Sequence, residues 1–243
     1  MTDAPLRSLV TGSASGIGAA VVARLRARGD RVVGVDRTPV DADTLVVDLA
    51  DPAARAGLVG RASEKLGGID TVICVAGIFR PTPLDDADLD AWRSIWAVNL
   101  EAPMDLMAQA LPVMRENGFG RIVTISSVHG RFAQRDCIAY DVGKAGLDAA
   151  TRSVALDGAR SGILANSVAP GFVRTPMSLT ADGVDETDTT SFRERYGDGG
   201  LLPLGRAAHA SEVAEVVAWL SGRENGYLTG QVVTVDGGLT STF

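Results

Sequence analysis

A strand, a glycine-rich turn and a helix follow one another at the start of the chain, and this order constrains the fold more than any other feature. The apolar run at residues 6–10 predicts a buried strand, and the segment Thr11-Gly12-Ser13-Ala14-Ser15-Gly16-Ile17-Gly18 follows directly. Residues 19–28 then show a helical pattern that Gly29 is placed to cap. The arrangement indicates the first unit of a parallel α/β fold and makes the turn a candidate phosphate site.

Each glycine of the turn has its own expected role. Gly12 permits the tight turn, and Gly16 lets a pyrophosphate approach the N–H groups at the helix N-terminus. Gly18 allows the helix to pack closely on the strand. The spacing G-x-x-x-G-x-G differs from the commoner G-x-G-x-x-G, and a turn with a purely structural role is the alternative.

Asp36 follows the second predicted strand, residues 31–35, and bears on the choice of cofactor. A carboxylate at this point can accept both ribose hydroxyls of an adenosine and repels a 2′-phosphate, which favours NAD over NADP. The adjacent Arg37 could instead bind a 2′-phosphate, so NADP stays possible. A cap at the strand end is the structural alternative for Asp36.

Strand-like and helix-like segments alternate along the rest of the chain. Further strands are predicted at residues 44–47, 70–75, 122–125, 163–169 and 231–235. Helices are predicted at residues 52–66, 87–98, 101–117, 139 to about 160, and 212–220, the last capped by Ser211. The alternation predicts a single domain over residues 1–243: an α/β, doubly wound Rossmann fold with a seven-stranded parallel sheet flanked by helices on both faces.

A lysine four residues after a tyrosine marks a second candidate site. In a helix, Tyr140 and Lys144 lie on one face, where the ammonium favours the phenolate and lowers the pKa of Tyr140. Such a tyrosine can exchange a proton with an alcohol or carbonyl oxygen. Ser127 closes an apolar strand and so lies at the carboxyl edge of the sheet, where open α/β folds bind ligands. A helical surface pair without function is the alternative.

Residues 176–205 do not fit the alternation. They are acidic and rich in threonine, show no strong period and contain Gly-Asp-Gly-Gly at residues 197–200. A segment of this length predicts a mobile substrate lid, with a disordered surface loop as the alternative.

Composition narrows the range of partners. The net charge is −7 and the 21 arginines and two lysines form no basic block, which argues against nucleic acid or an anionic membrane as partner. The two cysteines and two histidines have no metal-ligand spacing, so no metal is expected. The N-terminus lacks a basic segment followed by a long apolar one, and we expect a cytoplasmic protein.

Together these residues resemble the short-chain dehydrogenase/reductase family over nearly the whole chain. The matching segments are Thr11-Gly12-x-x-x-Gly16-Ile17-Gly18, Asp48, Ala76-Gly77, Asn99, Ser127, Tyr140-x-x-x-Lys144 and Pro170-Gly171-x-Val173-x-Thr175. Jointly, in this order and at these spacings, they are highly specific.

The resemblance implies an enzyme that transfers a hydride between a nicotinamide cofactor and a secondary alcohol or ketone. Tyr140 would be the general acid/base, and Ser127 would hydrogen-bond the reacting oxygen. Lys144 would hold the ribose of the nicotinamide half and lower the pKa of Tyr140, while Asn99 would fix a water that links Lys144 to a proton relay.

The resemblance also implies a cofactor site built from several segments. Asp48 would face the adenine, and Val173, through its backbone, and Thr175 would hold the carboxamide. The full set of expected cofactor-binding residues is Gly12, Ser15, Gly16, Ile17, Gly18, Asp36, Arg37, Asp48, Leu49, Ala76, Gly77, Tyr140, Lys144, Pro170, Gly171, Val173 and Thr175.

One segment departs from the family pattern. The family usually has Asn-Asn-Ala-Gly after the fourth strand, where this chain has Cys74-Val75-Ala76-Gly77. The missing amides would have braced the central sheet, so we expect cofactor binding to survive in weakened form.

The segment between Ser127 and Tyr140 is polar and, by the family's layout, contributes to the substrate wall. His129, Gln134 and Asp136 could bind hydroxyl groups, which favours a sugar, polyol or cyclitol. An NADP-dependent carbonyl or 3-ketoacyl reductase is the alternative, and a non-catalytic nucleotide-binding protein is a further one. The family's usual helix pairing implies a homotetramer or homodimer.

Overall fold

The computed structural model describes residues 4–180 and 182–241. A seven-stranded parallel sheet has the order β3-β2-β1-β4-β5-β6-β9, and a separate two-stranded ladder pairs β7 with β8. The strands are β1 (Arg7–Thr11), β2 (Arg31–Asp36), β3 (Thr44–Val46), β4 (Thr71–Cys74), β5 (Gly120–Ile125), β6 (Ile163–Pro170), β7 (Val173–Arg174), β8 (Ala208–His209) and β9 (Val232–Val235).

Helices connect the strands and cover both faces of the sheet. They are α1 (Gly16–Arg28), α2 (Pro52–Arg55), α3 (Leu58–Leu66), α4 (Leu89–Trp96), α5 (Ala102–Asn117), α6 (Ile138–Gly158), α7 (Thr190–Phe192) and α8 (Ala210–Leu220). None of the helices in the described part of the chain is both long and apolar enough to cross a membrane.

Alternate residues of each strand enter two separate hydrophobic cores. Leu9 of β1 packs in the core under α3, α5 and α6, whereas the next residue, Val10, packs in the core under α1 and α8. Ile122 and Val123 of β5 divide in the same way. A sheet buried on both faces accounts for the continuous apolar runs of the sequence and confirms the predicted doubly wound fold.

The strand order reverses direction between β1 and β4, which are direct neighbours in the sheet. Ligands of open α/β sheets bind in the crevice outside the carboxyl ends of the strands at such a point. The glycine-rich turn follows β1 at this edge, and the Ala76-Gly77 segment follows β4.

Several element boundaries differ from the predicted ones. The helix predicted at residues 52–66 is divided, because Gly57 adopts a left-handed φ of 65° between α2 and α3. Residues 87–117 are nearly all helical, with a π-helical turn, Ala97–Glu101, between α4 and α5. His209 rather than Ser211 caps α8, because the carboxylate of Glu212 accepts the His209 backbone N–H at 2.8 Å.

Residues 176–205 form short turns that are attached to the body of the domain. Arg174 and Asp188 form an ion pair of 2.6 Å, and the rings of Phe172, Phe192 and Tyr196 pack with centroids 4.7–5.0 Å apart. The described part of this segment is therefore held by aromatic and ionic contacts near β7. That it acts as a lid stays a prediction.

The close packing of α1 on β1 leads to a first prediction. A Cβ atom built on Gly18 lies 1.9 Å from the carbonyl oxygen of Gly12, a backbone atom that has no free space to move into. We expect Gly18→Ala to lower the free energy of unfolding by about 2 kcal/mol or more, measured by urea denaturation.

Gly60→Ala is the matched control. Gly60 lies inside α3, and a Cβ atom there has no neighbour within 4 Å. Alanine at such a position is expected to raise stability by up to about 1 kcal/mol. Equal effects of the two substitutions would contradict the packing argument.

Candidate active site

Helix α6 carries Tyr140 and Lys144 on the face that packs against β5. The Nζ of Lys144 lies 5.5 Å from the centroid of the Tyr140 ring and donates a hydrogen bond of 2.8 Å to the carbonyl oxygen of Ile125. The lysine is only 3% exposed. The sheet carbonyl therefore fixes the ammonium beside the phenol.

Ser127 joins this pair from the end of β5. Its side chain is 8% exposed, and its Oγ accepts the backbone N–H of His129 at 3.2 Å, which begins a short 3-10 turn. The Ser127 hydroxyl also hydrogen-bonds the Tyr140 phenol and thereby lowers the pKa of Tyr140. The structure thus brings Ser127, Tyr140 and Lys144 together at the carboxyl edge of the sheet.

Burial is the largest cause of the pKa shifts of Tyr140 and Lys144. The pKa of Tyr140 is raised to about 12, chiefly by desolvation; the hydrogen bond from Ser127 opposes this shift, and the charge of Asp141 adds to it. Desolvation lowers the pKa of Lys144 to about 8, against the nearby charge of Asp148. In the protein alone the net shift of the Tyr140 pKa is upward, because burial is the largest cause. That Lys144 lowers the pKa of Tyr140 stays a prediction.

Asn99 lies in the π-helical turn and is fully buried. Its Oδ1 accepts the Ile78 backbone N–H at 2.8 Å and its Nδ2 donates to the Ile78 carbonyl at 2.9 Å. A Cβ atom on Gly77 would lie 3.4 Å from Asn99 Oδ1 and 3.6 Å from Lys144 Nζ. Asn99, Gly77 and Lys144 are therefore neighbours, and the wide turn aims the amide at the loop after β4.

The glycine-rich turn has the shape of a phosphate cradle. Gly12 and Gly16 have left-handed φ angles of 67° and 52°, and a Cβ on Gly12 would lie 2.9 Å from the backbone of Ala76. Ser15 is the N-cap of α1 and makes no side-chain cap hydrogen bond. The first N–H groups of a helix have no helical partner, so those of Gly16 and Ile17 can bind an anion.

Asp36 ends β2 within reach of this turn. Its carboxylate accepts the backbone N–H groups of Ala14 and Thr38, each at 3.0 Å. The bond from Thr38 is the kind of contact expected if Asp36 only caps the end of β2. The bond from Ala14 also links the carboxylate to the glycine-rich turn. The side chain of Arg37 is exposed and forms no ion pair with any residue in 4–180 or 182–241.

Thr11 braces the loop after β4, where family members usually have two asparagines. Its Oγ1 accepts the N–H groups of Val75 and Ala76 at 3.0 and 3.1 Å. Cys74 is 2% exposed, and burial raises the pKa of its thiol to about 12, so it is an inert core residue. Sequence reasoning missed this bond, for which the position of Thr11 at the end of β1 was the available signal.

The remaining predicted cofactor residues lie on two sides of the cradle. The exposed carboxylate of Asp48 accepts the Ala50 N–H at 2.9 Å, and Leu49 is buried. Beyond Pro170-Gly171, Thr175 packs against the turn, since its side chain lies 3.2 Å from a Cβ atom built on Gly16. Val173 pairs with Ala208 in the short ladder.

His129 is the predicted substrate residue that stands beside the tyrosine. The centroids of the His129 and Tyr140 rings are 5.4 Å apart, and Phe79 packs edge-on to Tyr140 at 5.3 Å. Asp141 accepts a hydrogen bond of 2.6 Å from His129 Nδ1, which directs Nε2 away from the carboxylate. Sequence reasoning missed Asp141, although it follows Tyr140 directly.

The other predicted substrate residues are placed differently. Gln134 is exposed, and its backbone N–H, not its amide, binds Asp141 at 3.2 Å. Asp136 is exposed and has a left-handed φ of 60°. Neither side chain is among the groups that pack against the Tyr140 ring, which are Phe79, His129 and Lys144. The described residues contain no group of three histidine, cysteine or acidic side chains that could hold a metal ion.

Together these contacts fit a dinucleotide. The turn between β1 and α1 leaves no room for a Cβ atom at Gly12, Thr175 closes over Gly16, and the loop after β4 borders Lys144. Such close approach of three segments suits an extended dinucleotide whose pyrophosphate lies at the glycine-rich turn.

Several known proteins are similar to this chain in both sequence and fold. A family model described as enoyl-(acyl carrier protein) reductase matches residues 12–240. Cis-4-hydroxycyclohexanecarboxylate dehydrogenase from Sinomonas cyclohexanicum is 36% identical over 248 residues, covering 96% of each chain. The 3-oxoacyl-(acyl-carrier-protein) reductase FabG of Escherichia coli is 32% identical over 243 residues, again covering 96% of each chain.

A solved structure of a dehydrogenase is also similar to this chain in fold. Ligand-free aldohexose dehydrogenase from Thermoplasma acidophilum superposes with a TM-score of 0.89 at 27% identity, covering 98% of this chain and 95% of the other. The motif order, the sheet order and these similarities place the chain in the short-chain dehydrogenase/reductase family, as an NAD(P)-dependent oxidoreductase that acts on CH–OH groups.

Proposed function

We propose that the protein oxidises a polar secondary alcohol with NAD+, or reduces the corresponding ketone with NADH, with Tyr140 as general acid/base. The observation that carries this proposal is the convergence of Ser127, Tyr140 and Lys144 beside the loop after β4. When bound, the nicotinamide supplies or accepts the hydride at the substrate carbon.

The residues of the chain handle the proton and the orientation of the substrate. Tyr140 gives its phenolic proton to the carbonyl oxygen during reduction and takes it back from the hydroxyl during oxidation. Ser127, which already hydrogen-bonds the phenol, holds the same oxygen in reach. Lys144 is fixed by the Ile125 carbonyl and is proposed to bind the cofactor ribose.

Asn99 and the glycine-rich turn complete the proposed machinery. The buried amide of Asn99 holds the loop after β4 in place, so that Gly77 stays open beside Lys144. Asn99 is further proposed to fix the water that links Lys144 to a proton relay. The N–H groups of Gly16 and Ile17 are proposed to bind the pyrophosphate.

The proposed preference for NAD rests on Asp36. Its carboxylate is fixed by two backbone N–H groups at the edge of the turn, where a fixed negative charge repels a 2′-phosphate. Arg37 is exposed and has the freedom to bind such a phosphate, so NADP is the alternative cofactor.

The proposed substrate is a polar ring or open-chain alcohol of the sugar, polyol or cyclitol type. His129 offers a hydrogen-bonding nitrogen next to Tyr140, and Asp141 orients it. Two similar proteins, named for a hydroxylated cyclohexanecarboxylate and for aldohexoses, support a polar cyclic substrate. The similarity to FabG supports 3-ketoacyl reduction with NADP as the second candidate.

Three further features belong to the proposal. We propose a homotetramer or homodimer in the cytoplasm, on the ground of the family resemblance and the acidic composition. Residues 176–205 are proposed to cover the substrate as a lid. Their attachment through Arg174, Asp188 and the Phe172 ring gives such a lid a defined hinge near β7.

Tyr140→Phe tests the role of the phenol. We expect kcat for alcohol oxidation to fall at least about 100-fold because proton transfer is lost, while NADH binding measured by fluorescence changes little. Tyr227→Phe is the matched control, since Tyr227 is 98% exposed and should behave as the wild type. Undiminished turnover by Tyr140→Phe would rule out the proposed chemistry.

Parallel titrations with NADH and NADPH test the cofactor. We expect tighter binding of NADH by the wild type, and a shift of at least about tenfold toward NADPH in Asp36→Asn, which removes the charge but keeps the shape. Arg37→Ala serves as the control and should leave NADH binding unchanged. A wild type that prefers NADPH would show that Arg37, not Asp36, decides the choice.

A further inference from the structure

Asp148 is a buried carboxylate that the proposed mechanism does not use. It lies one helical turn after Lys144 on α6, at the i+4 position, and is 6% exposed. Its Oδ1 has no hydrogen-bond partner among the described residues. An unpartnered buried carboxylate oxygen is costly, so its presence directly behind Lys144 needs a physical reason.

The surroundings of Asp148 are polar but largely uncharged. The hydroxyls of Ser126 and Ser167 face the carboxyl group and lower its pKa, although burial raises it overall. Gly130 closes the site, since a Cβ atom there would lie 2.5 Å from Asp148 Oδ2 and 3.0 Å from Ser126 Oγ. The carboxylate therefore occupies a closed space between α6, the ends of β5 and β6, and the turn at Gly130.

The charged groups that act on Asp148 are Lys144 and Arg152, both on α6. Arg152 is exposed to solvent, whereas Lys144 is buried, so the interaction with Lys144 is the less screened of the two. Among the described residues, β5, β6 and the turn at Gly130 contribute only hydroxyls and backbone to this site. Asp148 is also the charge that opposes the burial of Lys144 by raising its pKa.

Among residues 4–180 and 182–241, no acidic group other than Asp148 acts on Lys144. Its hydrogen bond to the Ile125 carbonyl satisfies one donor but supplies no full negative charge. The burial that lowers the pKa of Lys144 to about 8 would leave a substantial neutral fraction in mildly alkaline solution. A neutral amine could neither attract the phenolate of Tyr140 nor bind a ribose as strongly.

We propose that Asp148 is a positioning residue that keeps Lys144 in its charged form. This inference rests on the proposed function, because Lys144 matters there as an ammonium beside Tyr140. An apolar residue at position 148 would fill the space without an unpartnered oxygen, but it would remove the negative charge that, within the described part of the chain, raises the pKa of Lys144.

The small number of lysines allows a direct test. The chain has only Lys65 and Lys144, so Lys65→Arg leaves Lys144 as the single lysine. The full-length protein labelled with [ε-13C]lysine then gives one Cε resonance, whose shift with pH reports the ionisation of Lys144. In the Lys65→Arg protein that keeps Asp148, Lys144 is expected to titrate near pH 8.

Asp148→Asn removes the charge at nearly constant shape. Since the carboxylate raises the pKa of Lys144, its removal should lower the midpoint by about one pH unit, a tenfold loss of proton affinity. Asp148→Ala removes the carboxylate without adding bulk and should shift the midpoint in the same direction if the asparagine variant folds poorly. Asp157→Asn, at an exposed position of the same helix, should leave the midpoint unchanged.

The outcomes separate this inference from the proposed function. A Lys144 midpoint within about 0.3 pH units of the wild type in both Asp148 variants would overturn the inference, because it would show no charge coupling. A lower midpoint supports it, whatever the substrate. The alkaline limb of kcat/KM should then move to lower pH by the same amount. A lower midpoint with an unmoved limb would contradict the proposed function of Lys144, whereas reduced turnover with an unmoved midpoint would indicate a merely structural role of Asp148 and overturn the inference.

Discussion

The rest of the site depends on a single buried ammonium group and the carbonyl that holds it. The Nζ of Lys144 is bound to the last residue of β5 while its helix carries Tyr140 one turn earlier. Burying a cation is costly unless hydrogen bonds and opposite charge compensate, so this contact restricts how α6 can lie on the sheet. Once α6 is fixed, Ser127 at the same strand end faces the phenol, and the three residues of the proposed catalytic group lie together.

The cofactor side depends on a different constraint, the close approach of backbone segments. Gly12 contacts the loop after β4, and Gly16 contacts Thr175 beyond β6, at distances that leave no room for larger side chains. The Thr11 hydroxyl then binds two N–H groups of the β4 loop, which family members usually brace with asparagine amides. The loop is thus anchored to β1 although Cys74 and Val75 carry no amide side chains, and the effect of this departure on cofactor binding stays a prediction.

Local patterns predicted the fold and the closeness of Tyr140 and Lys144, because strand runs and i, i+4 spacing are short-range signals. The π-helical turn at Asn99 could not be predicted in this way, since its shape follows from the bonds of the amide to Ile78, far away in the sequence. Asp141 and Asp148 were missed for a related reason. A carboxylate on a helix is usually exposed, and only the packing of α6 shows that these two face His129 and Lys144. The boundary at Gly57 likewise depends on a left-handed φ that composition does not reveal.

Burial also sets a preference between the two directions of the reaction. With its pKa raised to about 12, Tyr140 holds its proton in the protein alone and is ready to act as an acid toward a carbonyl oxygen. Oxidation requires the opposite, a phenol that accepts a proton, and in the protein alone burial raises the pKa of Tyr140 instead. The positive charge of an oxidised nicotinamide favours the phenolate, so the cofactor's own charge supplies what the side chains lack. Under the proposed function, Tyr140 would therefore serve both directions, as a proton donor in reduction and as a proton acceptor in oxidation.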